Sequence, residues 1–238
     1  MLRTMLNLLY PSICRACSKK LGDFNRNICS ECAGKIKERL PPFCLKCGKQ
    51  IGEDPAPADI CQDCRNNEPH FDRAWSACIY EGTLKNLIHD FKYNRITCLS
   101  ADFASLMTGF MKKHGIGKDS QVIVSVPMHT SRLFRREINH SDVLASSLGK
   151  RLGIPYTGSA LKKIKNTSEQ NKLGRQERIK NLCSSFSIKN SSRILNKNIL
   201  LVDDLFTTGS TVNECSKILK ASGAGQIEVI TLARGYSV

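Results

Sequence analysis

Four closely spaced pairs of cysteine constrain this sequence more than any other feature. Each pair has the form Cys-x-x-Cys, and all four lie within the first 64 residues of a 238-residue chain. Two cysteines this close chelate a metal ion from one tight turn more readily than they form an unstrained disulfide. Secreted disulfide-rich domains rarely space every cysteine in this way. The pattern predicts a metal-stapled fold in a reducing compartment, and therefore a cytoplasmic protein.

The spacing of the pairs is nearly the same in the two halves of this region. The first half reads C-x2-C-x11-C-x2-C and the second reads C-x2-C-x13-C-x2-C, which indicates a duplicated unit. Four thiolates are a ligand set that tetrahedral structural zinc prefers, so we expect two structural Zn²⁺ ions, with each knuckle on a hairpin. In sequential pairing, one ion is bound by Cys14, Cys17, Cys29 and Cys32, and the other by Cys44, Cys47, Cys61 and Cys64. A cross-braced arrangement that mixes the pairs stays open.

The rest of the chain has the alternating pattern of an α/β domain. Apolar runs predict strands at 74–80, 121–126, 199–202 and 227–232, and amphipathic periodicity predicts helices at 83–93, 100–114, 141–152 and 210–222. Strands that alternate with helices indicate a mostly parallel sheet flanked by helices on both faces. We predict a double zinc-ribbon domain at 1–66 and an α/β domain at 67–238.

The N-terminal segment is the candidate for a targeting signal. Leu2, Met5, Leu6 and Leu9 fall on one helical face, but the apolar run is short and no small-residue cleavage site follows it. No run approaches the roughly 18 apolar residues of a membrane-spanning helix. We expect a short amphipathic helix that docks on the protein body and no transmembrane segment; a membrane-surface anchor is the alternative.

Residues 199–211, ILLVDDLFTTGST, carry the strongest chemical signal. An apolar strand ends in Asp203 and Asp204, and a short loop then leads into a helix. At the carboxyl end of a parallel strand, such a loop presents free backbone N–H groups to an anion. The loop residues add hydroxyl donors and one position of close backbone approach, and they are Thr207, Thr208, Gly209, Ser210 and Thr211. The carboxylates suit ribose hydroxyls or a hydrated Mg²⁺ beside the phosphate.

This segment resembles the phosphoribosyl pyrophosphate (PRPP) signature of type I phosphoribosyltransferases. Further segments resemble diagnostic parts of the ComF family of competence-associated proteins: KNLIHDFKYN (85–94), VPMHTSRLFRREINHSDVLA (126–145) and TSEQNKLGRQERIKNL (167–182). Together with the N-terminal double zinc ribbon, the resemblance covers nearly the whole chain in the family's order.

The resemblance implies a type I phosphoribosyltransferase fold behind a double zinc ribbon. It assigns Asp203 and Asp204 to the ribose hydroxyls of PRPP, with Mg²⁺, and residues 207–211 to its 5-phosphate. The loop at 127–129 would approach the pyrophosphate. Arginine matches phosphate with a planar fork of donors, and the arginines in position to neutralise the pyrophosphate are Arg132, Arg135 and Arg136.

The resemblance also implies a mobile flap over the site at 165–178. The residues that fit the family's polar pattern there are Gln170, Arg175 and Arg178. A solvated surface loop is the alternative for this basic segment.

One segment departs from the family's pattern. Where the family carries an R-G-F-N-Q-like run, this chain has Arg136, Glu137, Ile138, Asn139 and His140. Losing the glycine removes easy access to positive φ, and Glu137 places a negative charge near the expected pyrophosphate. The departure bears on turnover more than on fold, so catalysis by a phosphoribosyltransferase stays open.

A net charge of +15 indicates polyanionic partners. Eight thiolates and two zinc ions contribute −4, which still leaves +11. Single-stranded DNA fits this charge and the family's link to transformation, and an aromatic content of 6% predicts mainly electrostatic contacts. The candidate contacts are the basic residues of 162–178 together with Lys19, Lys20, Lys35, Lys37, Arg39, Lys46 and Lys49.

Three functions therefore stay open. The first is a PRPP-binding protein that acts in uptake or processing of transforming single-stranded DNA, with competence or recombination proteins as partners. The second is an active phosphoribosyltransferase of nucleotide metabolism, although no residue in the sequence identifies its acceptor base. The third is a PRPP sensor without catalysis.

Overall fold

The structure of the protein is a computed structural model that describes residues 12–22, 26–51, 59–129, 138–158, 160–165 and 185–235. Its helices are α1 (Ser30–Gly34), α2 (Gln62–Asn66), α3 (Gly82–Tyr93), α4 (Leu99–His114), α5 (His140–Leu152) and α6 (Ser210–Ala221). Its strands are β1 (Arg73–Ile79), β2 (Val122–Ser125), β3 (Leu161–Lys163), β4 (Phe186–Ile188), β5 (Ile199–Phe206) and β6 (Ile227–Arg234).

Four parallel strands form the main sheet, in the order β1-β6-β5-β2. The short strands β3 and β4 form a separate antiparallel pair. The central strands are buried on both faces, which explains why they read as continuous apolar runs in the sequence. The mostly parallel sheet expected from the sequence is confirmed.

The core has two layers, one on each face of the sheet. On one face, Leu200 and Val202 of β5 pack with the apolar stripes of α3, α4 and α5. On the other face, Ile199 and Leu201 pack with α6 and the β3–β4 pair. Alternate residues of a strand point to opposite faces, so one strand contributes to both layers. The site described below lies at the carboxyl ends of the parallel strands.

The zinc region packs directly on the first strand of the sheet. Backbone N–H groups of Ala74 and Ile79 donate to the carbonyls of Lys46 and Lys37, at 2.7 and 2.9 Å. Gly48 follows the knuckle with a φ of 63°, and a Cβ there would lie 2.5 Å from the carbonyl oxygen of Ala74. Only glycine fits such a turn this close to a strand. The division of the chain after residue 66 stays a prediction.

Some expectations change or lie outside the described residues. The second knuckle of each ribbon begins a short helix, α1 or α2, and does not lie on a hairpin as expected. Strand β5 continues to Phe206, so Asp203 and Asp204 belong to the strand itself. The expected helix within residues 1–11 lies outside the described residues. Among the helices of the described ranges, none is long and apolar enough to cross a bilayer.

Candidate functional site

The eight cysteines of the zinc region meet in two groups of four. Cys14, Cys17, Cys29 and Cys32 form one tetrad, and Cys44, Cys47, Cys61 and Cys64 form the other. Within each tetrad the sulfur atoms all lie within 4.8 Å of one another. The pairs are therefore combined sequentially, and the cross-braced alternative is wrong.

Backbone hydrogen bonds favour the thiolate form of one cysteine in each tetrad. The N–H groups of Cys29 and Cys61 donate to the Sγ atoms of Cys14 and Cys44, each at 3.3 Å. Burial alone raises the pKa of Cys14, but backbone N–H donors outweigh it and lower the pKa to about 6.

Burial raises the pKa of Cys32, Cys47 and Cys64, so these thiols would lose their protons when the metal binds. The described residues of each tetrad offer four sulfur ligands and no histidine or carboxylate, which fits structural zinc. In each tetrad, zinc would be held by four sulfurs with no open position for catalysis.

The second site surrounds the end of β5. Asp203 and Asp204 lie near the carboxyl end of this strand. After the strand, Gly209 adopts a φ of 77° immediately before α6. A Cβ at residue 209 would lie 2.5 Å from Cζ of Phe206, so the glycine permits the loop to fold over that ring. The Thr208 and Ser210 hydroxyls lie 2.9 Å apart and face the same short loop. The arrangement places hydroxyl and N–H donors at a helix N-terminus, beside two carboxylates.

Lys92 of α3 contributes a positive charge to this site, and sequence reasoning did not assign it a role. Its Nζ atom lies 2.8 Å from Oδ1 of Asp204, and both side chains are largely buried. Burial opposes the charge on Lys92, but the Asp204 carboxylate outweighs it and the pKa of Lys92 is raised. The available signal was its position in KNLIHDFKYN, beside the buried stripe that ends at Phe91.

Asp203 is held by a different set of contacts. Its Oδ1 accepts hydrogen bonds from the hydroxyl of Ser141 and from the backbone N–H of Asp204, both at 2.9 Å. Burial, followed by the charge of Asp204, raises the pKa of Asp203 to about 7. The two carboxylates are therefore not equivalent, because Asp204 has a lysine partner and Asp203 is the one that resists ionisation.

We expect Asp203→Asn to stabilise the protein at alkaline pH. Because the pKa of Asp203 is raised on folding, the folded state holds its proton more tightly than the unfolded state does. Wild-type stability therefore falls as pH rises from the ordinary aspartate range through neutrality. Without added Mg²⁺ or PRPP, urea unfolding at pH 8 should show the variant more stable by about 1–3 kcal/mol. At pH 5 the difference should be much smaller; a difference independent of pH contradicts the assignment.

A polar network supports the strand end next to β5. At the end of β2, the Ser125 hydroxyl lies 3.2 Å from the hydroxyl of Tyr156 and also donates to Asp142. Asn139 caps α5 by accepting from the N–H of Ser141, and its amide donates to the carbonyl of Val126 at 3.1 Å. In the segment that departs from the family's pattern, Asn139 thus has a structural role at the start of α5.

Part of the predicted site lies outside the described residues. This applies to the pyrophosphate arginines Arg132, Arg135 and Arg136, and to the flap residues Gln170, Arg175 and Arg178. Their roles stay predictions. Within the described ranges, the structure brings together Asp203, Asp204 and the loop at 207–211.

Comparison with known proteins agrees with both regions. Residues 5–67 match the double zinc ribbon domain, and residues 140–237 match the phosphoribosyl transferase domain. DNA utilization protein YhgH of Salmonella typhi is 31% identical over 230 residues, which cover 95% of this chain and 99% of that protein. Competence protein F of Haemophilus influenzae is 32% identical over 226 residues, which cover 93% and 96%.

A solved structure, the allosteric regulatory enzyme of purine biosynthesis, matches with 20% identity and a TM-score of 0.37. That match covers 56% of this chain and 26% of the solved one. The alignments with the relatives at 31% and 32% identity cover nearly the full length of this chain and of each relative. The two matched domains occur in the expected order. The resemblance found in the sequence is confirmed, and the chain belongs to the ComF family of proteins with a double zinc ribbon and a phosphoribosyltransferase domain.

Proposed function

We propose that this chain is a PRPP-binding protein of the ComF type that acts on transforming single-stranded DNA in the cytoplasm. The observation that carries the proposal is the junction of β5 and α6. Two carboxylates and a loop rich in hydroxyl groups meet there at a helix N-terminus, within the matched phosphoribosyl transferase domain. The cytoplasmic location rests on the use of eight cysteines as two tetrads of free thiols.

The site suits the separate parts of PRPP. Asp203 and Asp204 accept hydrogen bonds from the ribose hydroxyls, and the N–H and hydroxyl groups of 207–211 bind the 5-phosphate. Mg²⁺ would be held beside the carboxylates, and it would supply positive charge to the pyrophosphate. The arginines at 132, 135 and 136 and the flap at 165–178 would cover the pyrophosphate. Lys92 fixes the Asp204 carboxylate before the ligand arrives.

Transfer of the phosphoribosyl group is the second candidate function. An acceptor nitrogen would form a bond to the ribose carbon as the bond to pyrophosphate breaks, and stabilisation of the departing charge would lower the barrier. The matched phosphoribosyl transferase domain favours this candidate. Pyrophosphate release that requires an added nucleobase would support transfer. PRPP binding without release, across the common bases, would support a binding or sensing protein.

The DNA part of the proposal rests on charge and on the names of the relatives. The chain carries +15, and relatives are named as competence and DNA utilization proteins. Lys19, Lys20 and Arg26 line a cleft of about 280 Å³ on the first ribbon, in which they outnumber the single carboxylate, Glu31, and could contact phosphate groups. We assign this cleft as the main DNA contact of the zinc region.

The structure reduces the set of expected DNA contacts. Arg39 is only 5% exposed and donates to the carbonyl of Gly48 at 2.5 Å, so its expected role at the surface is wrong. Lys163, within the expected basic stretch 162–178, is also buried, and its ammonium group lies over the ring of Phe186. Three further lysines lie in exposed ion pairs: Lys35 with Glu31, Lys37 with Glu81, and Lys49 with Asp63. These lysines are already partly neutralised.

We expect single-stranded DNA binding to be strongly salt-dependent and weakly sequence-dependent. Four to six phosphate contacts predict a slope of log affinity against log salt of roughly −3 to −4. Charge reversal of Lys19 and Lys20 to Glu should weaken binding and reduce the magnitude of that slope by about 1 to 2. Fluorescence anisotropy with a labelled oligonucleotide measures both quantities.

The matched control reverses Lys35 and Lys37, the same number of charges in the same region, both already ion-paired. Its effect should be clearly smaller. Equal losses from the two double variants, or heparin competing better than the oligonucleotide, would leave only non-specific attraction.

A further inference from the structure

The last residue of β6, Arg234, connects the second cysteine tetrad to the phosphate loop. Its guanidinium donates to the backbone carbonyl of Cys47 at 2.6 Å, and a second nitrogen lies 3.9 Å from the Cys47 sulfur. The same guanidinium lies over the ring of Phe206, 4.3 Å from its centre. Phe206 and Arg234 are also direct partners in the register of β5 and β6. The side chain of Arg234 thus contacts both Cys47, an expected metal ligand, and Phe206, the last residue of β5.

The ring of Phe206 is in turn the floor of the phosphate loop. It is 3% exposed, and it lies so close to Gly209 that any Cβ there would overlap it. The loop backbone therefore takes its shape from the position of this ring. The contacts run without a gap from the tetrad through Arg234 and Phe206 to residue 209.

We propose that Arg234 is a positioning residue through which metal at the second tetrad and PRPP at the phosphate loop stabilise each other. This inference rests on the proposed PRPP function. A zinc ion with four thiolates carries a net charge of −2, and the guanidinium compensates part of it next to Cys47. When zinc fixes Cys47, Arg234 is held against Phe206 and the loop keeps the conformation that binds the phosphate. When zinc is lost, that anchor is lost with it.

The first tetrad provides an internal comparison. Cys14 and Cys32 belong to the core layer of α3, α4 and α5, whereas Cys47 and Phe206 belong to the opposite layer. The first tetrad thus packs on the opposite face of the sheet from Phe206. Coupling between sites is reciprocal and ranges typically from about 5-fold to 150-fold in affinity. PRPP should therefore protect one zinc ion of the two.

The test is the rate of zinc loss from the full-length, zinc-loaded protein to a chromogenic chelator, with and without PRPP and Mg²⁺. We expect two phases, of which PRPP slows only one, by about 5-fold or more. Arg234→Met should abolish that protection while the protein still binds two zinc ions. Arg39→Met is the matched control, because Arg39 is a buried arginine that bonds the carbonyl of Gly48 and lies over the ring of Phe43, which packs on the core layer opposite Phe206. It should keep the protection.

Every other outcome of this experiment overturns the coupling, the role of Arg234 or the proposed function itself. Calorimetry on the same samples separates the two proposals: if PRPP does not bind, the proposed function falls and this inference falls with it. If PRPP binds but slows neither phase or both equally, only the coupling is overturned. Protection that persists in Arg234→Met overturns the role of Arg234. If that variant does not fold, Arg234→Lys decides, because it keeps the charge but lacks the planar fork, and it should show reduced protection.

Discussion

Replacing both site carboxylates, Asp203→Asn together with Asp204→Asn, should weaken PRPP binding by about 100-fold or more. A hydrogen bond to a charged group contributes about 1.5–3 kcal/mol, and each 1.4 kcal/mol is a factor of ten in affinity. The double variant weakens two such bonds and removes the charge that would attract Mg²⁺. Titration calorimetry with PRPP and Mg²⁺ measures the loss.

The matched control for this prediction is Asp72→Asn. Asp72 is also an ion-paired aspartate, bonded to Lys220 at 2.8 Å and to the N–H of Ile227. It lies just before β1, at the amino ends of the parallel strands, whereas the proposed PRPP site lies at their carboxyl ends. Its replacement should therefore leave PRPP affinity unchanged. The double variant also leaves Lys92 without its partner Asp204, so its folding is checked by circular dichroism. PRPP binding by a folded double variant at wild-type affinity would contradict the ribose assignment.

Removal of zinc should unfold the ribbons and leave the sheet largely folded. A structural zinc ion contributes about 10–16 kcal/mol of binding free energy, far more than a region of this size gains from its own core. After chelation, hydrogen exchange should become fast in residues 12–66 and stay slow in β5 and β6. Elemental analysis should find two zinc ions per chain before chelation.

Single cysteine variants test the two sites separately. Cys14→Ser and Cys44→Ser each remove a buried ligand from one tetrad, so each should lower the zinc content from two ions to one. Cys98→Ser is the matched control, because Cys98 is exposed and belongs to neither tetrad. Less than about one zinc per folded wild-type chain would contradict the metal assignment.

The sequence predicted the elements of the sheet domain because their signals are local. The apolar run at 199–202 and the amphipathic stripe of α3 follow directly from side-chain periodicity. The same periodicity rule predicted that β5 ends at residue 202, four residues too early, because carboxylates are rare in strands. In the structure, Asp203 is paired in register with Thr231 of β6, and the strand continues to Phe206. Pairing with a neighbouring strand thus overrode the local preference.

The parts of the site that the sequence missed depend on contacts between distant residues. Lys92 and Asp204 meet only because α3 and β5 end at the same edge of the sheet. Arg39 resembles a surface cation in the sequence, yet it is buried because a carbonyl and the ring of Phe43 surround its guanidinium. Arg234 resembles an ordinary residue near the C-terminus, and its contact with Cys47 spans 187 positions. No local pattern encodes such pairings.

Calorimetric titration of PRPP into the zinc-loaded protein, with Mg²⁺, tests the central claim most directly. That claim is a PRPP site at the junction of β5 and α6. We predict saturable binding of one PRPP per chain, retained in Asp72→Asn and lost in the folded double variant of Asp203 and Asp204. The absence of any binding heat at several temperatures from a folded protein with two zinc ions, or equal binding by all three proteins, would contradict it.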